Sequence, residues 1–397
     1  MKRDTCPICD TASIAQLDYL QDVPALLNRM ARTVTEARAA PRGTLDIVGC
    51  NGCGFVWNRS FDPGIVAYDP TYENDQSHSP AFRSHMEGMA ANVLASVDAD
   101  GVSEIVEVGC GQAVFLRALI AGAGPRLRRA SGFDPVFRNQ PSVAETRIRV
   151  FEEYFDERTV TLLEVPPSLV VTRHTIEHVA SPVAFLKTIR RAIGETPARL
   201  FIETPDVRWI LARGATEDWF YEHCSLFDQH SLTLALKTAG FLPIRVDRVF
   251  QAQYLWAQAT INRPADREMP APSRITSFPN LSDMRRRFVD QWQQRVNGAG
   301  PVVVWGAGAK GVTFCTLVDS DATRVAAVVD INPAKHNMFV PASGHHVVSP
   351  ADLVAIRPRM VIVMNANYRD EVAMRLSELG VNTSLVTLES EDSTSAA

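Results

Sequence analysis

Two cysteine pairs, two glycine-rich turns and a small set of histidines carry most of the chemistry available to this 397-residue chain. Cys6-Pro-Ile-Cys9 and Cys50-Asn-Gly-Cys53 each have the spacing of a knuckle. One such turn points two thiolates at a single ion, and two turns complete a closed tetrahedral site of the kind that holds structural zinc. The remaining three cysteines show no paired spacing. Glu107-Val108-Gly109-Cys110-Gly111 and Gly306-Ala307-Gly308-Ala309-Lys310-Gly311 both follow apolar runs and open helix-like segments. A strand, a glycine turn and a helix N-terminus place backbone N–H groups where a phosphate, a carboxylate or a ribose can sit. His174 and His178 follow an apolar run, and Glu222-His223 lies in the aromatic segment from Trp219 to Phe227. Histidine exchanges a proton near neutral pH, and an adjacent glutamate can fix its tautomer or hold a hydroxyl. A histidine packed in a core would fit the same pattern.

The elements that must position these groups alternate between strand and helix. Ile105 to Val108 reads as a strand and Phe115 to Ile120 as a helix; the third glycine of a dinucleotide fingerprint is missing, since Ala113-Val114 follow Gly111-Gln112. A second strand ends in Gly132-Phe133-Asp134, which sets an acid at a strand C-terminus for ribose hydroxyls. A further strand at Ser168–Thr172 delivers Arg173, His174, Glu177 and His178 to the same sheet edge, and the next, Leu200–Asp206, is followed by a loop and the aromatic segment. In the last third, Pro301–Trp305 enters the second turn, and Val325–Val329 ends in Asp330. That spacing leaves three readings open: a dinucleotide site, a wall for a substrate diphosphate, or a turn that binds nothing. Phe278, Leu281, Met284, Phe288, Trp292 and Val296 form one helical stripe that is core and not a cofactor box. The insertion from Asp10 to Gly49 is expected to hold a hairpin or a short helix, with Leu26, Leu27 and Met30 at helical spacing. Asn262 to Pro272 reads as a linker, and Glu389 to Ala397 as a disordered polar tail.

The length implies two or three cores, and 46% hydrophobic residues can fill them. A formal charge of -5, with no basic stripe beside the cysteines, argues against a nucleic-acid partner and makes scaffolding the expected role of the zinc site. No apolar run is long enough for a bilayer, and the N-terminus has no apolar signal region, so a cytoplasmic protein is expected.

The first turn resembles motif I of class I S-adenosylmethionine methyltransferases, an acidic residue followed by any residue and Gly-x-Gly. The resemblance implies a cofactor site built from Glu107, Gly109, Gly111, Gln112, Asp134 and Arg173, with Glu153 on the adenine amine and Glu152 as its alternate. From Cys6 to about Leu376 the chain resembles the sugar C-methyltransferases of deoxysugar pathways. The paired cysteines, Tyr72-Glu73-Asn74, Ser77-His78-Ser79-Pro80, Glu222-His223 and Val304 to Gly311 carry that likeness.

The family architecture implies an α/β fold: a zinc-binding domain over 1–75, a methyltransferase domain over 76–262, a linker and connecting helix over 263–299, a Rossmann-like substrate domain over 300–390 and a tail over 391–397. His223 becomes the base, with Glu222, Tyr221, His174, His178 and Tyr72 orienting the acceptor or its enolate. Gly306, Gly308 and Lys310 face a substrate diphosphate. Two positions depart from the family pattern: Phe220 replaces its motif tyrosine, and His174 replaces an asparagine common after the fourth strand. The implied reaction is carbon methylation of a nucleotide-activated keto sugar. O- or N-methylation of another small metabolite, a zinc scaffold with a degenerate cofactor pocket and an oxidoreductase using the second turn are the alternatives. Monomer and homodimer are both compatible with the sequence.

Overall fold

The computed structural model describes residues 3–69, 71–96, 102–137, 147–261, 272–298 and 300–388. In the N-terminal part, β1 (Ile14–Pro24) is followed by the short helix α1 (Val34–Arg38), by β2 (Arg42–Cys50), which pairs antiparallel with it, and by β3 (Val56–Asn58) on the far side of β2. Because β2 ends on Cys50, opposite Ile14, the second cysteine knuckle is set beside the first.

The insertion is therefore a strand pair with one short helix, but no helix forms where the spacing of Leu26, Leu27 and Met30 suggests one. All three are buried in irregular chain whose backbone groups are spent elsewhere. The Leu27 N–H donates to the Glu222 carboxylate, the Ala25 N–H to the Pro41 carbonyl, and Ala31 pairs with Phe339. Leu27 and Met30 enter the core of the C-terminal part, and that burial outweighs the weak propensity of a short helix.

The middle of the chain runs α2 (Pro80–Leu94), β4 (Val102–Val108), α3 (Val114–Ala123), β5 (Leu127–Phe133), β6 (Ile148–Phe151), β7 (Leu169–Arg173), α4 (Pro182–Ile193), β8 (Arg199–Pro205), α5 (Val207–Arg213), β9 (Ser225–Leu226), α6 (Gln229–Thr238), β10 (Leu242–Val249) and β11 (Tyr254–Thr260). Seven of these strands form a sheet in the order β10-β11-β8-β7-β4-β5-β6, parallel except where β11 runs against both neighbours. Its central strands are apolar runs because both faces are covered. One face packs on α2 and α3; the other packs on α4 and α6 and continues without a break into the cysteine cluster through Phe55, Trp57 and Phe227. Chain direction across the sheet reverses between β4 and β7, which opens a crevice at the strand C-termini. β9 leaves this sheet and pairs with β3, so the N-terminal sheet takes its fourth strand from well beyond residue 75.

The C-terminal part begins with α7 (Leu281–Val296), capped by Asn280. Phe278, Leu281 and Met284 pack with the N-terminal sheet, whereas Phe288, Trp292 and Val296 pack in the next core, so the stripe ties two units together. Then follow β12 (Val302–Trp305), α8 (Ala309–Val318), β13 (Val325–Val329), β14 (Val347–Val348), α9 (Leu353–Ile356), β15 (Met360–Val363), α10 (Arg369–Glu378) and β16 (Ser384–Thr387). The five strands are all parallel, in the order β14-β13-β12-β15-β16. The expected linker, except Pro272, and the tail from Glu389 lie outside the described residues. Among the described residues no helix is long and apolar enough to cross a membrane.

Candidate active site

The first glycine turn joins β4 to α3 at the crevice. Gly109 (φ 73°), Gly111 (φ 50°) and Ala113 (φ 61°) are all left-handed, a conformation glycine adopts freely and alanine at a cost. A side chain on Gly109 would run into Thr175, while the space above Gly111 is open. The Gly109 N–H donates to the Phe133 carbonyl at 2.9 Å, and Asp134 accepts the Gly111 N–H through Oδ2 (2.8 Å) and the Val136 N–H through Oδ1 (2.9 Å). Glu107 is buried, and its Oε2 has no hydrogen-bond partner among the described residues. Burial lifts its pKa to about 8 against the pull of the Arg173 guanidinium. Arg173 is also buried, with its Nη2 likewise unpartnered. Orphaned polar atoms beside an open glycine turn fit a ligand that carries its own donors and acceptors, as S-adenosylmethionine does. Glu153 stands apart: it is exposed just beyond β6 and lies 3.8 Å from Arg158.

The second turn uses the same kinds of bond, with one left-handed residue, Gly306, in place of three. Gly306 donates to the Val329 carbonyl at 2.7 Å, and Asp330 accepts the Ala307 N–H through Oδ2 and the Asn332 N–H through Oδ1, both at 2.8 Å. A side chain on Gly311 would strike the Gly306 carbonyl, so α8 can start only with glycine there. Lys310 is tied down: its Nζ lies 2.6 Å from Asp218 and 3.9 Å from Glu217, over the Trp209 ring.

Between this turn and the strand C-termini lies a cavity of about 260 Å³. Tyr72, His174, His178, Glu222 and His223 line it from one side, and Gly306, Gly308, Lys310 and Asp330 from the other. Glu222 is buried and fixed through both oxygens, by the Leu27 N–H (2.6 Å) and the Tyr72 hydroxyl (2.7 Å). The Asn28 amide in turn donates to the Tyr72 oxygen at 3.3 Å. The Tyr68 hydroxyl sits 2.8 Å from His178 Nδ1, and the His178 and His223 rings meet edge-on at 4.9 Å. Burial, with His178 adding to it, pushes the His223 pKa down to about 3, so its imidazole is neutral. Glu177 would be raised by burial, but His174 holds it below its ordinary value as a buried carboxylate. His174 itself is left-handed (φ 47°), the strained backbone that turns the chain out of β7 into the cavity.

Tyr221 is not part of this cluster. Its hydroxyl accepts the Asp62 N–H at 2.8 Å, and its ring packs on Gly43 and Phe61, away from the cavity. The tyrosines that do reach the cluster, Tyr68 and Tyr72, come from the loop before α2. Sequence reading also passed over Glu203 and His85. Glu203 is fully buried at the end of β8 and binds Arg173 Nε (2.6 Å) and His85 Nε2 (2.5 Å). The available signal was a carboxylate closing the apolar run Leu200-Phe201-Ile202.

The four cysteines meet as their spacing requires. Cys6 and Cys53 Sγ are 3.6 Å apart and Cys9 and Cys50 Sγ 3.5 Å, close to the separation of about 3.8 Å expected between sulfurs about 2.3 Å from one tetrahedral zinc.

The family described as a methyltransferase domain matches residues 82–246, and the one described as the C-methyltransferase C-terminal domain matches residues 258–386. No curated protein matches the chain in sequence. Similar solved structures include an S-adenosylmethionine-dependent methyltransferase from Aquifex aeolicus (16% identity, 49% of this chain and 100% of that one, TM-score 0.34). A second, from Mesorhizobium loti, has 16% identity over 44% of this chain and 99% of that one, with a TM-score of 0.34. The N-methyltransferase NodS from Bradyrhizobium japonicum has 12% identity over 46% and 98%, with a TM-score of 0.32. With the two family matches laid on the seven-stranded and five-stranded sheets, and the four-cysteine cluster ahead of them, the chain belongs to the S-adenosylmethionine-dependent methyltransferases of the C-methyltransferase type.

Proposed function

We propose that the chain methylates a carbon of a nucleotide-activated keto sugar, and that the four cysteines hold a structural zinc. The observation that carries this reading is the shared cavity: a neutral histidine with fixed carboxylates on one wall, and a second nucleotide-type turn on the other. S-adenosylmethionine, when bound at the first turn, supplies an electrophilic methyl group. Glu107, Gly109, Gly111, Gln112, Asp134 and Arg173 would hold it.

His223 takes the proton from the carbon beside the acceptor's carbonyl. Its low proton affinity in the free protein rises as negative charge develops on the acceptor next to it, and the Glu177 carboxylate stabilises the imidazolium that forms. His174 and His178 are placed to donate to the enolate oxygen. Tyr72 and Glu222 fix acceptor hydroxyls from a rigid pair. At the far wall, the N–H groups at the start of α8 and Lys310 meet the diphosphate, Lys310 sharing its charge with Asp218. Tyr221 supports the loop at Asp62 and has no chemical role.

The deciding experiment is mass spectrometry of products from a panel of nucleotide-linked keto sugars, run beside solvent-deuterium exchange at the acceptor carbon without methyl donor. Exchange that depends on His223, followed by a methyl on that same carbon, is expected. A methyl found on oxygen or nitrogen, with no exchange, overturns carbon methylation.

A further inference from the structure

Glu203 takes no part in the chemistry just described, yet both of its oxygens are engaged by cationic side chains at the strand ends. It is fully buried, one oxygen 2.6 Å from Arg173 Nε and the other 2.5 Å from His85 Nε2, with His174 Nε2 3.7 Å away. Burial would raise its pKa, but Arg173 and His85 hold it well below the ordinary carboxylate range, so it is charged. Burying a carboxylate is costly unless its partners are well placed. Here the acid on β8 takes its two partners from two other elements, the arginine from β7 and the histidine from α2.

Arg173 is the pivot. Its Nε is spent on Glu203, and its guanidinium lies 4.4 Å over the Phe115 ring, at the first turn of α3. Two contacts fix the plane of a fork, so the rest of the fork has a set direction. Nη2 is left buried without a hydrogen-bond partner among the described residues, and so is Oε2 of Glu107, across the β4–β7 pair and close enough for the two charges to feel each other. A buried cation and a buried acid, each with one atom unused beside a glycine turn, are complementary to a ligand with an adjacent anion and cation. The amino-acid end of S-adenosylmethionine is such a group.

We propose that Arg173 Nη2 binds the α-carboxylate and Glu107 the α-ammonium of the cofactor, and that Glu203, held by His85, is the positioning residue that aims Arg173. The proposal rests on the cofactor reading of the first turn. Glu203 acts only through Arg173, so its removal weakens recognition of the charged end and leaves recognition of the nucleoside intact.

The test is calorimetry on the full chain with S-adenosylhomocysteine, which carries the amino-acid end, and with 5′-methylthioadenosine, which lacks it. Arg173→Met is expected to weaken the first ligand at least tenfold and leave the second within about twofold, and Glu203→Gln to move the same way by a smaller factor. Arg173→Lys should recover part of the loss. Binding of the nucleoside reports that each variant is folded. If Glu203→Gln binds neither ligand, His85→Gln is read in its place and must show the same selective loss. Equal losses for both ligands in Arg173→Met, or in whichever of Glu203→Gln and His85→Gln still binds the nucleoside, overturn the proposal, as does no loss for either ligand. A wild-type protein that binds neither ligand overturns the cofactor reading itself, a distinct outcome.

Discussion

The Tyr72 hydroxyl donates to Glu222 Oε2 at 2.7 Å, and so joins the loop before α2 to the acid beside the proposed base. Both side chains are oriented by the irregular segment after β1: Leu27 N–H holds the other oxygen of Glu222, and Asn28 holds the tyrosine oxygen. Tyr72→Phe removes one of the donors to a buried carboxyl group that Tyr68 also reaches, a loss on the order of 1.5–3 kcal/mol for a hydrogen bond to a charged group. Turnover should fall roughly ten- to a hundredfold by that measure, while calorimetric affinity for S-adenosylhomocysteine stays unchanged. A variant with full turnover would remove the pair from the acceptor site.

The cysteine cluster shares its core with one face of the seven-stranded sheet, so metal loss should not stay local. Metal analysis of protein purified without chelator is expected to give about one zinc per chain. Cys53→Ser, or prolonged chelation, should lower the melting temperature of the whole molecule and not produce a separate early transition. An unchanged melting curve after complete metal removal would contradict this.

The two glycines of the first turn should respond differently. In Gly109→Ala the new methyl meets Thr175, and the residue must also hold a left-handed backbone; in Gly111→Ala only the backbone cost remains, about 1 kcal/mol. Gly109→Ala is expected to abolish S-adenosylhomocysteine binding, and Gly109→Ala/Thr175→Ala to recover part of it. Gly111→Ala should stay folded with a small drop in melting temperature.

Stability should also record a buried ion pair remote from the cavity. His345 Nε2 lies 2.9 Å from Asp319 Oδ2, with Ser343 on its other nitrogen. Burial pushes the imidazole pKa down, but Cys315 and Asp319 together lift it to about 10. The folded state thus keeps a proton that the unfolded chain releases near pH 6.5. The stabilisation is complete below that pH and is lost as pH rises toward about 10. Denaturant melts across this window should show the decline, and His345→Gln should flatten it.

The sequence exposed what short spacing encodes. Both cysteine knuckles, both glycine turns, Asp134, Asp330 and the α7 stripe are local patterns, each tied to backbone geometry or to one helical face. What stayed hidden depends on distant partners. Leu27 and Met30 have helical spacing, but the C-terminal core claims them. Tyr221 sits beside Glu222 in the chain, yet its hydroxyl is used by Asp62. β9 is too short to read and exists only because β3 is there to pair with it. Glu203 and His85 lie far apart in sequence, and no spacing rule joins them.

Lys310 tests whether the second turn meets a phosphate. The lysine is paired with Asp218 at 2.6 Å, with Glu217 next in reach, so an anionic acceptor competes with carboxylates already in place. Burial raises the Asp218 pKa, and Lys310 pulls against that rise. Lys310→Met should raise the KM for a nucleotide-linked acceptor about tenfold or more with little change in kcat, the signature of lost ground-state binding. Asp218→Asn removes the competitor, leaves Glu217 to hold the ammonium and should lower that KM. If both variants leave KM unchanged, Lys310 is a structural tie between the Glu217–Asp218 turn and α8, and any phosphate is held by the backbone N–H groups alone.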